Sequence, residues 1–124
     1  MLERLIEEAR KAQARAYNPY SRFSVGAALE TKNGKIYSGC NVENASYSLT
    51  NCAERTAIFK AVSEGEREFL RMVITSSSSG FTPPCGACRQ VMSEFGDFSV
   101  ILVDGQGQMK QYQVSDLLPC GFTL

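Results

Sequence analysis

The strongest constraint on the fold is the short apolar run within Arg71 to Thr75 (RMVIT), which has charge on one side and serines on the other. Such a run lacks the alternation of a half-exposed strand and suits a central strand covered on both faces. Covering both faces requires helices, and the chain supplies candidates. From Leu2 to Tyr17, the residues Leu2, Leu5, Ile6, Ala9, Ala12 and Ala16 recur at helical spacing, with Glu, Lys and Arg on the other face. Asn18-Pro19-Tyr20-Ser21 breaks this helix, because proline disfavours the helical conformation in the residue before it.

Ser24 to Thr31 and Lys35 to Cys40 read as strands joined through Lys32-Asn33-Gly34, whose Asn-Gly pair tolerates the positive φ of a tight hairpin. Asn41 to Asn51 is polar and aperiodic, a loop. Asn51 or Cys52 then caps a helix running to about Glu64, with Ala57, Ile58, Ala61 and Val62 as its buried stripe. Ser76 to Pro84 follows the central strand as a rim loop, and a further helix begins near Cys85 and ends at Gly96. Ser99 to Asp104 and Met109 to Val114 are strands whose four-residue connection is too short for a parallel crossover, so they pair antiparallel. Ser115 caps a last turn, Asp116 to Leu118. This order predicts a single domain over residues 1–124, a three-layer α/β/α sandwich around a five-stranded mixed sheet. At 124 residues the chain can bury one core without disulfide staples.

Thirteen Lys and Arg balance thirteen Asp and Glu, so there is no overall positive field to attract a nucleic-acid backbone. The absence of histidine removes Ser-His-Asp triads, Cys-His proteases and HExxH zinc sites together. No apolar run reaches the ~20 residues of a membrane span, and the first twelve residues interleave charges, so a cytoplasmic protein is expected. In such a compartment five cysteines are metal ligands or reactive thiols rather than disulfides.

Cys85-Gly86-Ala87-Cys88 follows Pro84 and opens a helix, placing both sulfurs on its first turn. Alone, this CxxC fits a thiol oxidoreductase, half of a structural zinc knuckle, or part of a catalytic zinc site. Cys52 offers a third thiolate at another helix start, where the helix dipole favours the ionised form. Three thiolates leave one zinc position open, as in a catalytic centre, whereas a structural centre has four protein ligands; Cys40 or Cys120 could nominally supply one. A three-thiolate site needs nearby positive charge, and Arg55 is adjacent to donate hydrogen bonds to the sulfurs.

Taken together, these motifs resemble the small, three-cysteine zinc class of the cytidine deaminase family, over nearly the whole chain. The resemblance runs from Tyr20-Ser21, Phe23 and Val25-Gly26-Ala27-Ala28 through Gly39-Cys40-Asn41-Val42-Glu43-Asn44-Ala45 and Cys52-Ala53-Glu54-Arg55-Thr56-Ala57. It continues through Ala61 to Gly65 and Pro84-Cys85-Gly86-Ala87-Cys88-Arg89-Gln90 to Leu117-Leu118-Pro119 and Phe122. It implies one zinc per subunit on Cys52, Cys85 and Cys88, with Glu54 as the proton shuttle that does not bind the metal. The implied reaction is attack of a metal-activated water on the amino-bearing carbon of cytosine, in pyrimidine salvage. Asn41 and Glu43 match positions that bind ribose hydroxyls, and Phe23, Ala53, Tyr47 and Phe122 match further substrate contacts. Tyr47 and Phe122 match residues supplied across subunit interfaces, which implies a homotetramer.

Glu43 and the lack of a Lys/Arg cluster beside these motifs favour a nucleoside over a nucleotide, with no nucleic acid and no membrane as partners. Other readings remain: a deaminase of the same fold acting on another aminopyrimidine or a cytosine-containing antibiotic, a thiol oxidoreductase, and a structural zinc module. Cys40 is expected as a small buried apolar residue and Cys120 as an exposed thiol. The chain ends soon after Phe122, without the longer tail of relatives.

Overall fold

In the computed structural model, which describes residues 1–124, the apolar run lies in β3 (Phe69–Ser76), the middle strand of a five-stranded sheet. On one side β3 pairs antiparallel with β1 (Val25–Thr31), which pairs antiparallel with β2 (Ile36–Cys40). On the other side β3 runs parallel to β4 (Ser99–Val103), and β4 pairs antiparallel with the edge strand β5 (Met109–Gln113). β3 extends beyond Arg71–Thr75 because Thr31 pairs with Phe69 across an irregularity at Glu30/Thr31.

Alternation along the strands sends side chains to two cores. One face carries Ala28, Val73, Ile101 and Val103 against Leu5 and Ala9 of α1 (Leu2–Gln13). The opposite face carries Leu29, Met72, Ile74, Val100 and Leu102 against α2 (Ala53–Ser63) and α3 (Gly86–Glu94). The expected three layers are therefore present. The Asn-Gly turn also forms as expected, with Gly34 at φ +88°.

Two glycines bring the helices onto the sheet. A Cβ on Gly26 would lie 2.0 Å from the Ala9 carbonyl of α1, and one on Gly39 would lie 2.5 Å from the Ala57 nitrogen of α2. Only a residue without a Cβ allows backbone to approach so closely.

Several boundaries differ from expectation. α1 ends at Gln13, short of Tyr17, because the Tyr17 N–H donates to the Asn41 carbonyl at 3.0 Å and the Glu43 N–H to the Tyr17 carbonyl at 2.8 Å. The segment after β2 is not wholly irregular: Val42 bridges both Tyr17 and Asn51, and Tyr47–Leu49 forms a 3-10 turn. The last helix, α4 (Val114–Leu117), is capped by Gln113 in a reciprocal pair with Asp116. Ser115 does not cap it, since its hydroxyl and N–H both donate to Asp97. Val62 packs only at the core's margin, and Cys40 is half-buried rather than buried. No helix is long and apolar enough to cross a membrane.

Candidate active site

Cys52 and Cys85 occupy the N-cap positions of α2 and α3, both with extended backbone, and neither uses its side chain as a cap. The two thiols instead turn toward each other, with the sulfurs 3.7 Å apart. Cys88, fully buried in the first turn of α3, places its sulfur 3.4 Å from that of Cys85. Thiolates bound tetrahedrally to zinc at about 2.3 Å stand about 3.8 Å apart, so this donor set fits the metal. No fourth Cys, Asp or Glu side chain joins the group; Cys40 and Cys120 lie outside it. That geometry speaks against a four-ligand structural centre and leaves a coordination position for a reactant.

Arg55, three residues along α2 from Cys52, donates from Nη2 to the Cys52 sulfur at 3.3 Å. Its Nε is buried without a partner. The Cys52 thiol is drawn down to about 5, first by a hydrogen bond from Cys88 and then by Arg55 and Cys85. Cys88 moves up, since it holds the proton it shares with Cys52. The hydrogen bond to Cys52 and its charge in turn hold the Arg55 guanidinium more firmly protonated.

Glu54 follows Cys52 by two residues and is 4% exposed. Burial pushes its carboxyl up to about 7, and the Cys52 charge adds to the rise. A carboxyl poised there can both accept and release a proton near neutral pH, as a general acid-base requires.

Asn41 and Glu43 sit just beyond β2, both nearly buried. The Asn41 amide accepts from the Val25 N–H at 2.9 Å and donates to the Phe23 carbonyl at 2.8 Å. One amide hydrogen and one lone pair remain free. Glu43 accepts from the Tyr20 and Ser21 N–H groups at 3.0 and 3.1 Å and from the Ser21 hydroxyl. The hydroxyl foremost, and then these N–H groups, hold its carboxyl below the usual range. Tyr20, Ser21, Glu43, Tyr47 and Thr50 line a cleft of about 440 Å³, with the Tyr20 and Tyr47 rings edge to face at 6.0 Å.

Phe23 is partly exposed, and the Ala53 side chain is fully buried at the start of α2. Phe122 lies elsewhere in the chain. Its backbone exchanges two hydrogen bonds with the Gln90 side chain of α3, its residue is 69% exposed, and it lines neither the cleft nor the cysteine group.

Residues 1–104 match the family described as the cytidine and deoxycytidylate deaminase zinc-binding region. The chain belongs to the cytidine deaminase family. The cytidine deaminase of Sporosarcina psychrophila is 51% identical over 124 residues, covering 98% of this chain and 91% of that protein. That of Halalkalibacterium halodurans is 54% identical over 121 residues, covering 96% and 92%. The crystal structure of cytidine deaminase from Burkholderia pseudomallei superposes with a TM-score of 0.94 at 50% identity, covering 98% and 99% of the two chains. Sequence reading placed Ser21 in the turn that ends α1 but did not pair it with Glu43, because nothing local pointed to that partner; Thr50, in the loop before Cys52, gave no signal of the cleft it lines.

Proposed function

We propose that the protein is a zinc-dependent cytidine deaminase, converting cytidine and 2'-deoxycytidine, with water, into uridine and 2'-deoxyuridine plus ammonia, in pyrimidine salvage. The observation that carries this reading is the non-ligating, buried Glu54 beside three thiols that converge from two helix starts. Cys52, Cys85 and Cys88 would hold the zinc, which when bound would supply a Lewis acid able to acidify water near neutral pH. Glu54 would hold and move the protons of the reaction, from the attacking water to the pyrimidine ring nitrogen and later to the departing amine. Arg55 offsets the surplus negative charge of the thiolates.

Asn41 and Glu43 hold the sugar through hydroxyls, and the absence of a cation in the cleft lining disfavours a phosphate there. Phe23 lines the base pocket, and Ala53, with its side chain buried, contributes backbone. The assembly is a homotetramer of single-domain, cytoplasmic subunits, one zinc each. Tyr47 and Phe122, 75% and 69% exposed, can each meet a neighbouring subunit, Tyr47 while also lining its own chain's cleft. That Phe122 does not line its own chain's cleft supports delivery in trans.

The test follows the ultraviolet change from cytosine to uracil, with Glu54→Gln of equal zinc content beside the wild type. Turnover falling by about 10²–10⁴-fold in the variant supports the reading. No turnover by the zinc-loaded wild type directs attention to other aminopyrimidines and then to a non-catalytic zinc fold.

A further inference from the structure

Arg22 is the one non-glycine residue with positive φ, at +57°. A side chain in that region is disfavoured and persists where the surroundings hold it in place. Here both flanks are held. The Arg22 N–H donates to the Asn18 carbonyl at 3.0 Å, Ser21 is bound to Glu43 through N–H and hydroxyl, and the Phe23 carbonyl is bound by Asn41. The Ser21 hydroxyl gives its single proton to Glu43 Oε2 and accepts from the Phe23 N–H at 3.0 Å.

This arrangement limits what Glu43 can still do. Oε1 accepts two N–H groups and Oε2 accepts the hydroxyl, so three of about four acceptor positions are filled and one remains, on Oε2. We infer that Ser21 is a positioning residue for sugar recognition, aiming the Glu43 carboxylate so that its last acceptor position meets a hydroxyl of the substrate's sugar. This inference rests on the nucleoside reading above. Without the Ser21 hydroxyl the carboxylate keeps its N–H partners but is free to turn Oε2 away. The loss then falls on substrates that carry the hydroxyl, and on binding more than on chemistry, which occurs at the cysteine end.

The experiment uses the full, zinc-loaded protein and compares wild type, Ser21→Ala and Ser21→Thr. Cytidine is scored by KM and kcat, and 2',3'-dideoxycytidine, lacking both ring hydroxyls, by its inhibition constant against cytidine. Ser21→Ala should raise the cytidine KM about tenfold, the weight of a hydrogen bond to a charged group. It should leave kcat and the dideoxynucleoside constant nearly unchanged, and Ser21→Thr should restore KM. An equal penalty on both nucleosides, an unchanged cytidine KM, or a loss expressed in kcat, with or without loss of zinc, would overturn the inference. Absence of cytidine turnover by the wild type would overturn the deaminase reading itself, and is distinguishable because no variant enters that result.

Discussion

Replacing Gly39 by alanine tests how closely the metal end depends on one backbone contact. A Cβ there would sit 2.5 Å from the Ala57 nitrogen, 2.7 Å from the Ala53 carbonyl and 2.8 Å from the Thr56 Cβ. Two of these three are backbone atoms of α2, so no rotamer change relieves them. Reaching an ordinary contact of 3.4 Å requires α2 to move off the sheet by about 0.9 Å. The start of α2 carries Cys52 and Glu54, whereas Cys85 and Cys88 stay with α3. The shift therefore separates ligands that now stand 3.7 Å apart. Overpacking of this kind costs about 1–3 kcal/mol of stability, and a displacement of about 1 Å at reacting groups costs about 100-fold in rate. Urea unfolding, kcat/KM and zinc content of Gly39→Ala measure the three consequences. Gly86→Ala is the contrast, since a Cβ between the two cysteines of α3 meets nothing within 4 Å; it should leave unfolding and zinc content near wild type. A Gly39→Ala enzyme with wild-type stability and kcat/KM would refute the packing argument.

Two further predictions concern charge. Arg55→Gln removes the guanidinium that donates to the Cys52 sulfur at 3.3 Å, and should weaken zinc binding by about 10–100-fold; release to a chelator at the wild-type rate would contradict this. Glu43 has its carboxyl lowered in the folded state, chiefly by the Ser21 hydroxyl. It therefore contributes stability that is fully present above the unfolded value of about 4.3 and is lost as pH falls through the lower folded value. Glu43→Gln should flatten the acid limb of stability against pH measured by urea unfolding, and acid limbs of equal steepness would exclude the linkage.

The layers were legible because burial on two faces leaves periodicities that a solvated segment does not produce. Leu5, Ala9 and Ala12 mark one face of α1, and Ala57, Ile58 and Ala61 mark that of α2. Cys52 and Cys85 were legible as helix starts because punctuation precedes them, Asn51 in one case and Pro84 in the other. What escaped the sequence was long-range pairing. The end of α1 depends on Tyr17 meeting Asn41, and the order within 41–51 depends on Val42 meeting Asn51. Ser115 is drawn away from the cap of α4 by Asp97, 18 residues before it. Each involves a partner that local propensity does not register, so helix length and capping shifted while the layer order did not. Ser21 belongs with these, since its partner Glu43 is 22 residues away.

The pairing at Val42 also explains how the two ends of the site keep their spacing. Val42 exchanges two backbone hydrogen bonds with Asn51, each 2.9 Å, and Asn51 directly precedes the ligand Cys52. On the other side, Tyr17 is bonded to Asn41 and Glu43, the two residues proposed to meet the sugar. The backbone spacing between Glu43 and Cys52 is therefore set by main-chain bonds, and Ser21 only aims the Glu43 carboxylate within that frame. Substituting Ser21 or Arg55 should accordingly change the strength of one end while leaving the other in place. Gly39→Ala differs in kind, because it shifts the backbone of α2 itself and so should disturb binding and chemistry together.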